Sequence, residues 1–130
     1  MPGTLSVEIS PGELIDKITI LAIKLERIDD ESKLANVRIE YDTLTKVRDQ
    51  AIEATEELAG LTQELKAINE TLWQIEDDIR DCERAGDFGP AFVKLARAVY
   101  VTNDNRMSVK RRINDYLGSR LVEEKSYAAY

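Results

Sequence analysis

Histidine is absent from the chain, and cysteine occurs once, as Cys82. Without histidine the sequence excludes nucleophilic triads that use a histidine base, and it excludes zinc, copper and haem sites with histidine ligands. A single cysteine excludes a disulfide within the chain and any cysteine-clustered metal. Sparse cysteine is typical of reducing compartments, so we expect a cytoplasmic protein with no resident cofactor.

Long apolar runs are also missing. The longest, Ile18–Leu25, is interrupted by Thr19 and Lys24 and falls far short of the roughly 20 residues that a membrane-spanning helix needs. Residues Met1–Ile9 carry neither the basic start nor the apolar centre of a signal peptide. We therefore expect neither membrane insertion nor secretion.

Basic residues are outnumbered by acidic ones. The chain has 18 Lys and Arg against 25 Asp and Glu, a formal net charge of −7. Nucleic acids and anionic membranes attract basic surfaces, so this balance argues against both as partners. With 130 residues, of which 43% are hydrophobic, the chain has room for one domain and hardly for two. Residues 1–130 are therefore expected to form a single domain.

The scarcity of proline and the spacing of apolar residues predict helices throughout. Ser10, Pro11 and Glu13 form a strong helix start, with a capping serine, a proline at the first helical position and an S-x-x-E capping box. Apolar residues then recur at steps of four and three, the period of one helix face. The predicted helices span residues 10–29, 33–59, 61–85 and 91–117, after an extended arm at 1–9 and before a tail at 119–130.

The second and third predicted helices follow heptad spacing. The third carries Leu61, Leu65, Ile68, Leu72, Ile75, Ile79 and Cys82 at strict 4-3 steps. Heptads in two successive segments predict a long antiparallel coiled-coil-like hairpin. We expect its break at Gly60, although no proline supports a break there, and the alternative is one continuous helix. The expected fold is therefore all-α, an elongated antiparallel helical bundle. Such a slim bundle has much surface for its volume, and we expect it to bury a further stripe in a homodimer.

Paired acidic residues provide one candidate site. Glu13 and Asp16 lie three residues apart on one helix face, and Glu76 and Asp77 belong to an acidic cluster. Without histidine, only metals that prefer oxygen ligands, such as magnesium, fit these residues. All-α nucleotide pyrophosphohydrolases hold magnesium with an E-x-x-E pair followed by an E-x-x-D pair. Here the order is reversed, because the pair Glu13 and Asp16 precedes the pair Glu53 and Glu56. We favour the alternative that these acids face solvent and pair with nearby cations.

A polar interruption in the fourth helix provides the second candidate. Continuing the 4-3 steps from Phe92 places Asn103, Arg106 and Lys110 on the stripe that faces the core. The resulting candidate site for a small anionic ligand consists of Glu13, Asp16, Lys17, Glu76, Asp77, Asn103, Arg106 and Lys110. Arg106 and Lys110 would clamp the anion. We favour the other interpretation, a layer of polar side chains that fixes the register of the helices.

Several motifs along the chain are familiar in combination. They are SPGELIDKITIL at 10–21, KLANVR at 33–38, LWQIED at 72–77, GDFGP at 86–90, LARAVY at 95–100, TND at 102–104 and VEEKSY at 122–127. Together they resemble a small bacterial family that is known only as a domain of unknown function. The resemblance spans nearly the whole chain apart from residues 41–66. It implies a shared ligand or partner, and it supplies no reaction, cofactor or catalytic residue.

We interpret the sequence as a non-enzymatic cytoplasmic helical module that self-associates and binds a partner, because heptads occur without a recognisable catalytic constellation. The alternative is a site for a small anionic ligand within the bundle, such as that of a magnesium-dependent phosphohydrolase. Whether the chain is an enzyme stays open between the two. The expected partners are a second copy and an unidentified protein or small anion, with neither nucleic acid nor membrane.

Overall fold

The computed structural model describes residues 3–130. Its four α-helices are α1 (Pro11–Arg27), α2 (Glu31–Ala51), α3 (Glu56–Ala85) and α4 (Pro90–Leu117). No strand occurs among residues 3–130, so the predicted all-α helical bundle is confirmed. Residues 3–9 of the expected N-terminal extended segment are irregular and exposed. Residues 1–2 of that segment lie outside the described part of the chain. None of the four helices combines the length and the apolarity that crossing a bilayer requires.

Local hydrogen bonds and glycines set the ends of the helices. The Ser10 hydroxyl accepts the Glu13 N–H at 3.2 Å, and Pro11 takes the first position of α1. Gly86 ends α3 and Gly118 ends α4, with φ values of 66° and 67°. A residue with a Cβ rarely adopts this left-handed conformation, so glycine is the residue that allows these two helix ends.

The break after the second helix does not lie at Gly60. The helix predicted over 33–59 ends at Ala51, and Gly60 lies inside α3. The reason is a helix cap, because the Thr55 hydroxyl accepts the Leu58 N–H at 3.1 Å. Such a cap stabilises a helix start by about 1 kcal/mol. A glycine within a helix costs about the same amount, so it does not end the helix by itself.

The long antiparallel hairpin is formed by α3 and α4, which are joined by the turn at 86–89. The heptads place it between the second and third helices instead, and that pairing is wrong. Within residues 3–130, α2 contacts α1 and neither α3 nor α4. The physical reason is that the apolar side chains of α2 are spread around the helix and form no strong apolar face, so none of its residues is buried. By contrast, α4 supplies apolar side chains that cover α3.

The apolar core lies in the half of the hairpin that is distant from the turn, where α1 packs against both α3 and α4. Its buried members are Ile15 from α1, Leu58, Leu61 and Leu65 from α3, and Val109 and Ile113 from α4. By contrast, no residue from 76 to 101 is buried. This outer part of the hairpin, residues 76–101, is called the arm below.

Candidate functional site

A buried carboxylate joins three helices beside the core. Asp16 of α1 is 1% exposed. Its two oxygens accept hydrogen bonds from Nε and Nη2 of Arg106 on α4, the Nε bond being 2.9 Å long. Asn69 of α3 donates a further bond to Asp16 Oδ1 at 2.9 Å. The guanidinium fork matches the carboxylate in two parallel bonds, which gives this ion pair strength and a fixed direction.

One further side chain, that of Thr19, links Asn69 to the main chain at Asp16. The Asn69 amide also donates to the Thr19 hydroxyl at 2.9 Å, and this hydroxyl donates to the Asp16 carbonyl at 2.8 Å. No buried side-chain nitrogen or oxygen of residues 3–130 lacks a hydrogen-bond partner. The hydrogen bond to Asp16 raises the pKa of Arg106 above its ordinary value. The buried polar side chains around Asp16 are therefore all hydrogen-bonded, which avoids the large cost in stability of an unpaired buried polar group.

A second ion pair lies one helical turn further along α4. The Lys110 side chain is 8% exposed, and its Nζ lies 2.8 Å from a carboxylate oxygen of Glu13 and from one of Glu123. Burial alone would lower the pKa of Lys110, but the bonds to Glu123 and Glu13 outweigh burial and raise this pKa. Lys17 approaches Glu13 at 3.7 Å from an exposed position. The Asp16 pair and the contacts of Lys110 with Glu13 and Glu123 together form what we call the polar network, and Lys17 lies at its edge.

The first turn of α1 lies directly against α4. The Gly12 N–H donates to Oδ1 of the buried Asn114 at 2.7 Å. A Cβ at Gly12 would lie 2.6 Å from the Lys110 carbonyl oxygen and 2.8 Å from Asn114 Oδ1, closer than packed atoms tolerate. Only glycine lets α1 approach near enough to place its two carboxylates beside the cations of α4.

The tail, residues 119–130, runs back along α4 beside the polar network. Glu123 reaches Lys110, and the Lys125 Nζ lies 3.3 Å from Asp104. A cleft of about 390 Å³, the tail cleft, lies between the tail and α4. Spacing gives no signal for these tail residues, since they belong to no helix. The VEEKSY motif at 122–127 is the one feature of the sequence that marks them.

A second cleft, of about 510 Å³, lies among α1, α3 and α4. We call it the Trp73 cleft. Its lining includes the apolar side chains of Ile20, Leu72 and Trp73 and the polar side chains of Asp77, Asn103 and Arg106. Asn103 and Arg106 also line the tail cleft. These two residues of α4 therefore face both open spaces that border the polar network.

The arm exposes an apolar face on α4. Val93 is 50% exposed and Val101 is 43% exposed. Together with Phe88, Lys94 and Arg97 they line a shallow groove of about 580 Å³, the arm groove. Nine of the twelve residues from 90 to 101 are apolar, and none of these twelve is buried.

The sequence from residue 5 to residue 130 matches the family of unknown function DUF6165. The chain belongs to this family. The match takes in all four helices and the tail, so the polar network, the two clefts and the arm groove lie within the DUF6165 domain. No curated protein and no solved structure matches the sequence significantly. Membership confirms the resemblance to a domain of unknown function.

Four of the eight predicted site residues of this DUF6165 domain meet in the polar network. They are Glu13, Asp16, Arg106 and Lys110. Lys17 stands at the edge of the network, and Asn103 lines both clefts without a side-chain hydrogen bond to any of residues 3–130. Spacing missed Asn69, Thr19 and Glu123, because the first two sit within apolar helix faces and the third lies in the tail.

The other two predicted residues, Glu76 and Asp77, do not join the polar network. They line the Trp73 cleft, and Glu76 pairs with Arg80 one turn along α3. Among residues 3–130 no group of three or more acidic or cysteine side chains could hold a metal ion. The carboxylates that the magnesium alternative requires are therefore apart, and both oxygens of Asp16 already accept hydrogen bonds.

Proposed function

We propose that the protein is a non-enzymatic cytoplasmic helical module that self-associates through its arm. The observation that carries this proposal is the stretch from 90 to 101, which is apolar around most of the helix and has no buried residue. A helix that is apolar on nearly all sides is normally buried. Within residues 3–130 only α3 and α1 contact α4, and the core that they share with it lies outside the arm.

A second copy of the chain suits the arm because the arm carries both signs of charge on separate helices. Its α3 part, residues 76–87, has six acidic and two basic residues. Its α4 part, residues 88–101, has Lys94 and Arg97 and no acidic residue. Two arms packed in opposite directions about a two-fold axis would place the acidic helix of each against the basic, apolar helix of the other. An interface between identical chains requires such self-complementarity, and the paired arms would form a four-helix bundle.

The remaining chemistry supports a structural role more than a catalytic one. Desolvation, followed by the carboxylates of Asp87, Asp81 and Asp78, raises the pKa of the Cys82 thiol, which disfavours the nucleophilic thiolate. The cations of the polar network are paired with carboxylates of the same chain. This pairing favours the interpretation of a polar layer that fixes helix register, and it disfavours a clamp for a free anion.

Sedimentation velocity over a range of concentrations tests the proposal. We expect the wild-type chain to reach the mass of two chains. Val93→Glu/Val101→Glu should remain at the mass of one, because the interface would bury two unpaired carboxylates. Ile39→Glu is the matched control, since this apolar side chain is 67% exposed on α2, and this variant should dimerise. A wild-type chain that is monomeric throughout overturns the proposal.

A mixing experiment tests the antiparallel arrangement of the arms. Lys94→Glu/Arg97→Glu and Asp78→Lys/Asp81→Lys/Glu83→Lys should each be monomeric alone, because the first variant leaves both helices of the arm with a net negative charge and the second leaves both with a net positive charge. Their mixture should form a heterodimer, because every contact between the arms then joins opposite charges. Dimerisation of either variant alone, with no preference for the mixture, would show that a different surface joins the chains.

A further inference from the structure

The Trp73 cleft combines an apolar lining with hydrogen-bonding groups. Its volume of about 510 Å³ falls within the range of small-molecule pockets. Leu72 and Trp73 supply apolar surface, while Asn103 and Arg106 supply donors. A concave, largely apolar space with a few convergent polar groups is the usual form of a ligand site.

Arg106 has donors that the protein leaves unused. Its two bonds to Asp16 come from Nε and Nη2, which uses two of the five N–H groups of a guanidinium. The side chain is 30% exposed, and Asp16 is its only ion-pair partner among residues 3–130. The edge formed by Nη1 and the second hydrogen of Nη2 is therefore available to a carboxylate. Because Asn69 fixes Asp16, this edge is held in one orientation before any ligand arrives.

Asp77 supplies the opposite charge in the same cleft. It has neither an ion pair nor a side-chain hydrogen bond within residues 3–130, whereas its neighbours Glu76 and Arg80 neutralise each other. The cleft thus presents the free edge of the Arg106 guanidinium, the ion pair between Glu76 and Arg80, one unpaired carboxylate and an apolar wall between helices. The carboxylate of Asp77 would repel a ligand with only a negative charge, and the guanidinium of Arg106 would repel a ligand with only a positive charge.

We propose that the Trp73 cleft binds a small zwitterion with an apolar or aromatic side group, the chemistry of a free apolar α-amino acid. The ligand carboxylate bonds to Arg106 and Asn103, its ammonium bonds to Asp77, and its side group packs against Trp73. None of these residues lines the arm groove. Asp77 belongs to the acidic helix of the arm, so L-phenylalanine binding is measured at a protein concentration at which the chain is monomeric. Under that condition the inference stands or fails separately from self-association through the arm.

The fluorescence of Trp73, the only tryptophan of the chain, tests the proposal. The probe is L-phenylalanine, which does not emit where tryptophan does. We expect a saturable change with a dissociation constant on the order of 1 mM, as for a ligand of this size. Phenylacetate and phenethylamine, which each lack one of the two charges, should bind about tenfold more weakly. The absence of a saturable change, or equal binding of either analogue, overturns the proposal.

Substitutions place the ligand within the cleft. Asp77→Asn and Asn103→Ala alter side chains that are not buried and have no hydrogen bonds within residues 3–130, so both variants should fold, as circular dichroism will check. Each should weaken L-phenylalanine binding by about tenfold. Asp81→Asn, one turn along α3 and outside the cleft, is the matched control and should bind as the wild type does. If all three variants bind equally, the site is not this cleft. Sedimentation of the same samples checks that each variant is monomeric at the concentration of the binding measurement.

Discussion

At the scale of single residues, Gly12 limits how closely α1 and α4 approach. An alanine Cβ there would meet the Lys110 carbonyl oxygen at 2.6 Å, and main chain inside a helix cannot move aside without breaking hydrogen bonds. We expect Gly12→Ala to lower the free energy of unfolding by about 2–3 kcal/mol. Gly60→Ala is the control, because a Cβ at Gly60 in α3 meets nothing within 4 Å, and it should stabilise the chain by about 0.5–1 kcal/mol. Chemical denaturation followed by circular dichroism compares the two, and equal effects would contradict the close approach.

The Asp16–Arg106 pair leads to a second prediction at this scale. Asp16→Ala leaves a partly buried guanidinium without its carboxylate, and we expect the free energy of unfolding to fall by about 3 kcal/mol. This value is the lower end of the range for a broken buried pair, because the Arg106 side chain is 30% exposed. Asp16→Leu/Arg106→Met should recover most of this loss, since an apolar pair leaves no charge unpaired. Denaturant midpoints of the variants measure both effects.

The exposed Asp81–Arg84 pair on the arm provides the comparison for that prediction. Its side chains are 64% and 72% exposed, and solvent screens such pairs, so Asp81→Ala should change the stability by less than about 0.5 kcal/mol. If Asp16→Ala were as mild as Asp81→Ala, the polar network would not hold the three helices in register.

The polar network also marks how far spacing predicts the position of single residues. The 4-3 steps along α4 place Arg106 and Lys110 on its inner face, and both side chains lie there. These steps do not say which carboxylate of another helix pairs with Arg106. The structure places Asp16 of α1 there, while Glu76 of α3 pairs with Arg80. Spacing gives the face of a residue on its own helix. It does not give the depth at which the neighbouring helix crosses.

At the scale of elements, the sequence defines the individual helices better than their pairing. A capping serine and two left-handed glycines lie at three of the helix ends, and these signals are local. The choice between α2 and α4 as the partner of α3 is not local, because all three carry apolar residues at helical spacing. It depends on the buried area that each pairing gains. Val109 and Ile113 of α4 are buried in the core beside α3, whereas no residue of α2 is buried.

The tail is the element whose attachment should depend on pH. Tyr130 donates a hydrogen bond to Asp104, and this bond, with a smaller part from Lys125, lowers the pKa of Asp104 below 3.8. The Asp104 contribution is present above about pH 3.8 and is lost as the pH falls through the lowered pKa. The same bond raises the pKa of Tyr130 above 10.0, so the Tyr130 contribution is present below that pH and is lost as the pH rises through the raised pKa.

Absorbance titration of the tyrosines measures this attachment. We expect Asp104→Asn to bring the titration of Tyr130 back toward its ordinary pKa of 10.0, because the carboxylate that accepts its proton is gone. Tyr130→Phe identifies the step that belongs to Tyr130. If Asp104→Asn left that step unchanged, the tail would be held by contacts other than the bond between Tyr130 and Asp104.

At the scale of the whole molecule, stability should be distributed unevenly. The inner half of the hairpin and α1 share the core, whereas α2 has no buried residue and contacts only α1 among the helices of residues 3–130. Because amide exchange follows the local free energy of opening, α2 should exchange fastest of the four helices. Residues 58–75 of α3 should exchange slowest. Hydrogen exchange with mass spectrometry gives this order directly, and protection of α2 equal to that of residues 58–75 would contradict the packing.

The arm makes the same measurement depend on concentration. In a single chain residues 76–101 have no buried side chain, so their amides should exchange almost as fast as those of α2. In a dimer joined through the arms, opening requires the second copy to leave, so at a concentration about 100 times the dissociation constant the arm amides should exchange about 100-fold more slowly. The core and α2 contain none of the proposed interface and should exchange at unchanged rates. Slowing confined to residues 76–101 separates association through the arm from a general gain in stability, and slowing centred on α2 would identify α2 as the interface instead.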